Sequence, residues 1–192
     1  MREGELVAPG LRRWTAWHDE WKQQVASLAL ETRDDGLVLI DPLAPPAELR
    51  SADHVLITVF WHGRSTRDLD ARVWAPTRSA QPLRNRGVDV TEPFRAGDEL
   101  PGGIQAFRTA RVSEVVYWLP EQRAVVAGDV LLGSPLRLCP ESWLGKATHD
   151  DLRESLRPLL DLPVERVLVS HGDPVLDGGE QALAAVLEVR DR

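Results

Sequence analysis

Several features that are common in proteins are scarce in this chain. Cys139 is the only cysteine, which excludes an internal disulfide and any cysteine-rich zinc site. No apolar run approaches the ~20 residues that a membrane-spanning helix needs. The N-terminus, MREGELVAPG, lacks the apolar segment of a signal peptide. The sequence therefore predicts a cytoplasmic protein with no membrane partner.

Basic residues are too dispersed to form a nucleic-acid interface. The formal net charge is −7, and the sequence contains no block of Lys and Arg. We therefore expect no nucleic-acid partner. A small-molecule ligand is compatible with this composition, and nothing in the sequence indicates a homo-oligomer.

The chain itself is of ordinary globular composition. Its 192 residues are enough for one sizeable α/β domain with its own core, and 43% hydrophobic and 28% charged residues are typical of such a domain. Because no repeat, low-complexity tract or long linker interrupts the sequence, residues 1–192 are predicted to form a single domain.

Short apolar runs bounded by turn residues predict the strands. They cover residues 11–17, 21–32, 36–41, 54–60, 73–75, 104–108, 114–119, 123–127 and 166–170. Helices are predicted over residues 47–52, over 66–72 with Ser65 as the cap, from the Thr148 cap to about Leu160, and over 180–189. The middle of the chain is predicted to be irregular. This order of strands and helices predicts two similar halves packed as a layered sandwich.

Three of the predicted strands end in residues capable of chemistry. His62 follows the strand at 54–60, Asp129 follows that at 123–127, and His171 follows that at 166–170. A single loop histidine is usually structural, and a Gly-Asp pair is usually a turn. Strand ends nevertheless can direct side chains from a rigid sheet into one cleft. The three residues together are therefore candidates for a catalytic site.

Three stretches of the sequence resemble one family. They are DGLVLIDP at 35–42, VVYWLPEQRAVVAGDVLL at 115–132 and VLVSHGDP at 167–174. They resemble the metallo-β-lactamase fold superfamily, which includes glyoxalase II-like hydrolases. The resemblance extends from about residue 11 to residue 190. It implies an α/β fold built as a four-layered αββα sandwich.

The metal-binding motif of that family is degraded here. The family has His-x-His-x-Asp-His after a threonine, and anchoring on Thr58 puts Val59, Trp61, Gly63 and Arg64 at the ligand positions. The histidine expected shortly before VVYWL is also missing. The resemblance therefore predicts that no dizinc centre forms.

A smaller metal site is still compatible with the resemblance. Asp129 and His171 match family ligand positions, and His62 is one residue out of register. A catalytic zinc site needs three protein ligands and an open position. We therefore expect either no cofactor or a single divalent metal, most plausibly zinc, held by His62, Asp129 and His171. Glu114 is a further candidate ligand.

A metal-free alternative is open at this point. Arg64 stands at a former ligand position, and a guanidinium can bind a carboxylate through two hydrogen bonds. An Arg64–Asp129 pair would then replace the metal, because an unpaired buried carboxylate is costly. On this hypothesis His62 is a local hydrogen-bonding group.

Tryptophan is unusually frequent, with seven in a chain that has three Phe and one Tyr. The resemblance places Trp17, Trp21 and Trp61 beside turns around the cleft, where they would form an apolar wall for a ligand. Arg64 and Glu114 complete the candidate substrate-binding set. Ordinary core packing is expected for the three at positions 14, 74 and 118.

Two functional hypotheses follow. The first is a hydrolase of a small ester- or thioester-like substrate, with one metal or a metal-free arrangement of His62, Asp129 and His171 as the catalytic group. The second is a non-catalytic fold relative that binds a small molecule or acts as a scaffold. A fold does not by itself carry a function, so the site must decide between them.

Overall fold

A computed structural model describes residues 4–188 of the chain. Its strands are β1 (Glu5–Ala8), β2 (Leu11–His18), β3 (Gln23–Glu31), β4 (Leu37–Ile40), β5 (His54–Leu56), β6 (Arg72–Pro76), β7 (Glu92–Phe94), β8 (Gln105–Arg108), β9 (Val115–Leu119), β10 (Ala124–Ala127), β11 (Leu131–Leu132), β12 (Arg137–Leu138) and β13 (Arg166–Val169). Its α-helices are α1 (Thr77–Arg84), α2 (His149–Leu156) and α3 (Gly179–Leu187). Within residues 4–188, no helix is both long enough and apolar enough to cross a membrane.

The strands form two main sheets. The first contains β1 to β7 in sequence order, antiparallel from β1 to β4 and parallel from β4 to β7. The second has the order β13-β10-β9-β8, in which β10 and β13 are parallel and the other pairs antiparallel. Strands β11 and β12 form a small separate ribbon.

The inner strands of the sandwich are buried on both faces, as strand β9 illustrates. Its residues Val115, Tyr117 and Leu119 point into the core between the sheets, whereas Val116 and Trp118 point towards the helices. This division follows from the two-residue period of a strand. It explains why VVYWL is a continuous apolar run rather than an alternating one.

Helices cover the outer faces of the two sheets. Leu152 and Leu156 of α2 and Leu183 of α3 pack on the second sheet, and α1 packs on the first. The result is the four-layered αββα sandwich that the sequence predicted, and the fold class is confirmed. The predicted Thr148 cap is also present and is part of a capping box, since the Thr148 side chain accepts from Asp151 N and Thr148 N donates to the Asp151 side chain.

Several local predictions were wrong. The strand predicted over 54–60 ends at Leu56, and a 3₁₀ turn spans Phe60–Gly63. The helix predicted over 66–72 is a 3₁₀ turn over Thr66–Asp68. Ser65 does not cap that turn, because its Oγ accepts instead from the backbone N–H of Ala44, at 2.9 Å. Helix α1 lies in the middle segment that was predicted to be irregular, and residue 189 of the predicted last helix lies outside the described residues.

Candidate metal centre

Three strand ends meet at one edge of the sandwich. The chain leaves β5, passes Thr58 and enters the Phe60–Gly63 turn that carries His62. Asp129 follows β10, and His171 follows β13. Gly63 allows the turn to pack closely on α1, because a Cβ at this position would lie 2.7 Å from Leu83 Cδ2. The fold thus brings together the three side chains that the sequence singled out.

The three side chains present their ligand atoms to one point. Asp129 Oδ1 lies 3.2 Å from His62 Nε2 and 3.1 Å from His171 Nε2. One ligand atom from each residue falls within 4.8 Å of the others. His62 Nε2 and Asp129 Oδ1 are both buried without a hydrogen bond of good geometry. Neighbouring ligand atoms of a tetrahedral zinc ion are separated by about 3.3 Å, as zinc bonds of ~2.0–2.1 Å require, so the cluster fits a metal ion.

Asp41, at the end of β4, orients His62. Its Oδ2 lies 2.7 Å from His62 Nδ1, so that Nε2 points to Asp129. The Asp41 carboxylate is itself fixed, because it accepts from Thr58 N at 2.9 Å and from Thr58 Oγ1 at 2.5 Å. Carboxylate partners of this kind hold the tautomer and direction of metal-binding histidines.

Charges in the metal-free cluster are strongly coupled. Burial and Arg64 lower the pKa of His62, but Asp129 and Asp41 outweigh them and raise it to about 9. Burial raises the pKa of Asp129, yet His62 and His171 hold it well below its usual range. At neutral pH the site therefore contains a charged imidazole between two carboxylates. A metal ion would have to displace the proton from His62 Nε2, so its affinity would rise with pH.

Trp61 and Glu114 hold Asp129 from two sides. The indole Nε1 of Trp61 donates to Asp129 Oδ2 at 2.6 Å. Glu114 Oε1 accepts from the backbone N–H groups of Asp129 at 2.6 Å and Val130 at 2.9 Å. Burial, followed by Asp129, raises the pKa of Glu114 to about 7. Asp129 Oδ1 is left as the carboxylate oxygen that faces the histidines.

A cleft of about 480 Å³ opens above the cluster. It is lined by Trp21, Gln23, Trp61, Arg111, Asp129, Trp143 and His171. The Trp21 ring lies 5.9 Å from that of His62 and 5.8 Å from that of His171, and it stacks on His18 at 3.9 Å. Asp129 and His171 thus lie at the floor of a cleft with indole walls, and His62 is fully buried next to them.

Arg64 does not take the place of a metal. Its NH1 donates to the carbonyl oxygens of Ala26 at 3.0 Å and Asp41 at 2.9 Å, and its NH2 donates to Ser170 Oγ at 3.2 Å. Among the ion pairs of residues 4–188 there is none between Arg64 and Asp129. The predicted Arg64–Asp129 pair is therefore wrong, and Arg64 does not line the cleft.

Two further placements need correction. Trp17 is 51% exposed and lies beside Trp14 in a different depression, so it does not form part of the cleft wall. The Glu114 side chain is buried, and its carboxylate accepts from Arg111 NH1 and from the backbone N–H of Asp129. It is therefore out of reach of a ligand in the cleft. Trp21 and Trp61 do line the cleft.

Sequence reasoning missed three contributors to the site. Asp41 stood in the quoted stretch DGLVLIDP, but its contact with His62 depends on how β4 and β5 are paired. Arg111 was assigned no role from the sequence, and it pairs with Glu114 at 3.0 Å. Trp143 lines the cleft from a 3₁₀ turn at Glu141–Trp143, and no pattern in the sequence marked it.

Comparison with known proteins shows what the fold is. No family model and no curated protein sequence matches the chain. A metallo-beta-lactamase from Erythrobacter litoralis has a TM-score of 0.73 at 16% identity, with 98% of this chain and 97% of that one covered. One from Pontibacter korlensis has 0.71 at 16%, with 98% and 99% covered. A metallo-beta-lactamase family protein from Thermus thermophilus has 0.67 at 18%, with 93% and 78% covered. The chain therefore has the metallo-β-lactamase fold.

Proposed function

We propose that this protein is a metal-assisted hydrolase that uses one zinc ion, bound by His62, Asp129 and His171. Its substrate would be a small ester- or thioester-like molecule. One observation carries the proposal: the buried atoms His62 Nε2 and Asp129 Oδ1 lack a hydrogen bond of good geometry and converge with His171, and Asp129 and His171 line the floor of a cleft.

The donor set suits zinc better than other common ions. Two imidazole nitrogens and one carboxylate oxygen are a combination found in catalytic zinc sites, whereas calcium and magnesium prefer oxygen ligands throughout. Three protein ligands also leave a coordination position open. A zinc ion bound there would supply hydroxide near neutral pH, because it lowers the pKa of water to about 7.

The residues of the chain have separate tasks in this proposal. Asp41 keeps His62 Nε2 turned towards Asp129, and Trp61 holds the second oxygen of Asp129. Trp21 and Trp143 provide apolar walls against which the acyl part of a substrate can pack.

The non-catalytic alternative has less support. It assumed that an Arg64–Asp129 pair neutralises the buried carboxylate, and Arg64 instead binds two carbonyl oxygens and a hydroxyl. Asp129 faces two histidines, which are ligand groups, rather than a permanent cation. This difference favours a site that binds a metal ion.

Metal analysis tests the proposal directly. Protein purified without chelator should contain about one zinc ion per chain, and His171→Ala should lose it. His18→Ala is the matched control, because His18 also contacts Trp21 but lies outside the cluster. Zinc-loaded protein should then hydrolyse members of a panel of simple esters and thioesters faster than chelator-treated protein. Zinc that persists in His171→Ala, or loaded protein with no activity on any member of the panel, would contradict the proposal.

A further inference from the structure

We infer that Trp61 is a positioning residue for the metal ligand Asp129. Its indole N–H occupies Oδ2 and so leaves one defined oxygen, Oδ1, for the ion. The inference rests on the proposed function, since it concerns the same metal site. It adds to the site a residue that orients a ligand and is not itself a ligand.

The contact between the two side chains is short and shielded from water. Trp61 Nε1 donates to Asp129 Oδ2 at 2.6 Å, and the Asp129 side chain is 9% exposed. Hydrogen bonds to an ionised acceptor are among the strongest in proteins, and a low local dielectric strengthens them further. Without such a donor the carboxylate torsion is broad, and its two oxygens can exchange places. The indole makes them inequivalent.

The indole is itself fixed in place. The Phe60 ring packs edge-on against it at 4.7 Å, and the Arg111 guanidinium lies over it at 5.0 Å from the ring centre. Arg111 NH1 in turn donates to Glu114 Oε2 at 3.0 Å. A cation over an indole face attracts it electrostatically, and more strongly where water is excluded. Trp61 therefore has little freedom to turn away from Asp129.

These contacts form a closed path that begins and ends at Asp129. Trp61 holds the side chain, Arg111 connects Trp61 to Glu114, and Glu114 Oε1 accepts from the backbone N–H of Asp129. Gly128 is required next to this path, because a Cβ there would lie 2.7 Å from Glu114 Oε1. Both the backbone and the carboxylate of Asp129 are thus oriented before any ion arrives.

The same contact distinguishes the two oxygens as ligands. Trp61 Nε1 occupies one lone pair of Asp129 Oδ2, which makes Oδ2 a poorer metal ligand than Oδ1. Loss of a partner that orients a metal ligand typically weakens metal binding by about 10- to 100-fold. We expect an effect of this size when the indole N–H is removed.

The test is calorimetric titration of the chelator-treated full chain with Zn²⁺ alone. Trp61→Phe removes the N–H and keeps an aromatic ring. Trp74→Phe is the control, since its Nε1 donates to His54 Nδ1 at 3.0 Å, outside the metal-binding cluster. Unsubstituted protein and Trp74→Phe should bind one Zn²⁺ with the same affinity, and Trp61→Phe should bind it at least about 10-fold more weakly. The visible spectrum of the Co²⁺-loaded protein should change in Trp61→Phe alone, which a merely structural role would not produce.

Each outcome has a distinct meaning. Equal affinity in the two variants overturns the role of Trp61 and leaves the proposed function standing. Absence of Zn²⁺ binding by the unsubstituted protein overturns the proposed function and this inference together. If Trp61→Phe does not fold, benzothienylalanine at position 61 serves instead, because it has nearly the shape of tryptophan and no N–H. Unchanged affinity in that protein equally overturns the inference.

Discussion

Replacement of Arg64 by alanine is expected to destabilise the fold strongly, although Arg64 neither lines the cleft nor forms an ion pair with Asp129. Its guanidinium joins both sheets, since it donates to Ala26 in β3, to Asp41 after β4 and to Ser170 after β13. Substitution would remove the side-chain donor of Ala26 O and leave Asp41 O with only the Ser27 hydroxyl, in a poorly hydrated place. Hydrogen bonds to a charged group are each worth about 1.5–3 kcal/mol.

These contributions do not simply add, because one guanidinium makes all three bonds and its own burial is unfavourable. We expect a net loss of about 3 kcal/mol in the free energy of unfolding. For a chain of this size, 1 kcal/mol shifts the melting temperature by about 2–4 °C. The melting temperature of Arg64→Ala should therefore lie about 6–12 °C below that of the unsubstituted protein.

Arg67→Ala is the matched control for this measurement. The Arg67 side chain is 64% exposed, and its ion pair with the neighbouring Asp68 spans 3.7 Å. Exposed pairs of this kind contribute about 0–1 kcal/mol, so its melting temperature should hardly move. Similar shifts in the two variants would refute the reasoning, because they would mean that the buried contacts of Arg64 are no stronger than surface ones. The metal-free form should be used, so that ion binding does not contribute.

Three other outcomes are expected. Asp41→Asn removes the carboxylate on His62 Nδ1, so calorimetry should show about 10- to 100-fold weaker Zn²⁺ binding, and an unchanged affinity would contradict this role. Cys139 has no exposed surface and burial raises its pKa to about 11, so mass spectrometry should find slow alkylation by iodoacetamide at mildly alkaline pH in the native protein and rapid alkylation after unfolding. In Gly128→Ala the new Cβ would lie 2.6 Å from Thr58 Oγ1 and 2.7 Å from Glu114 Oε1. Urea denaturation should therefore show a loss of about 1–3 kcal/mol in the free energy of unfolding. An unfolding free energy equal to that of the unsubstituted protein would contradict this expectation.

Local sequence patterns determined much of the fold. Short apolar runs such as VLVS and AVVA, bounded by turn residues, are typical of strands buried on both faces, and strands β13 and β10 lie there. The Thr148 and Asp151 pair marked the start of α2 because a capping box uses residues three apart. The 3₁₀ turns and α1 were not predicted correctly, since their short or proline-containing sequences carry no strong period.

The sequence by itself also located the candidate ligands. His62, Asp129 and His171 each follow a strand, and strands at one edge of a sandwich place their ends together. What it did not determine is the direction of each side chain. His62 was one residue out of register with the family's ligand motif. Its Nε2 faces Asp129 only because the Phe60–Gly63 turn places the ring there and Asp41 binds Nδ1.

Tertiary structure alone decided which polar groups are partners. From the sequence, Arg64 was a candidate partner of Asp129, Trp61 a cleft wall and Glu114 a further ligand. The hydrogen bonds instead join Arg64 to carbonyl oxygens, Trp61 to the Asp129 carboxylate and Glu114 to Arg111. The physical reason is that apolar burial follows from sequence period, which is local. A hydrogen bond, in contrast, depends on the positions of atoms from segments as far apart as Arg64 and Ser170, and these meet only when the two sheets have packed.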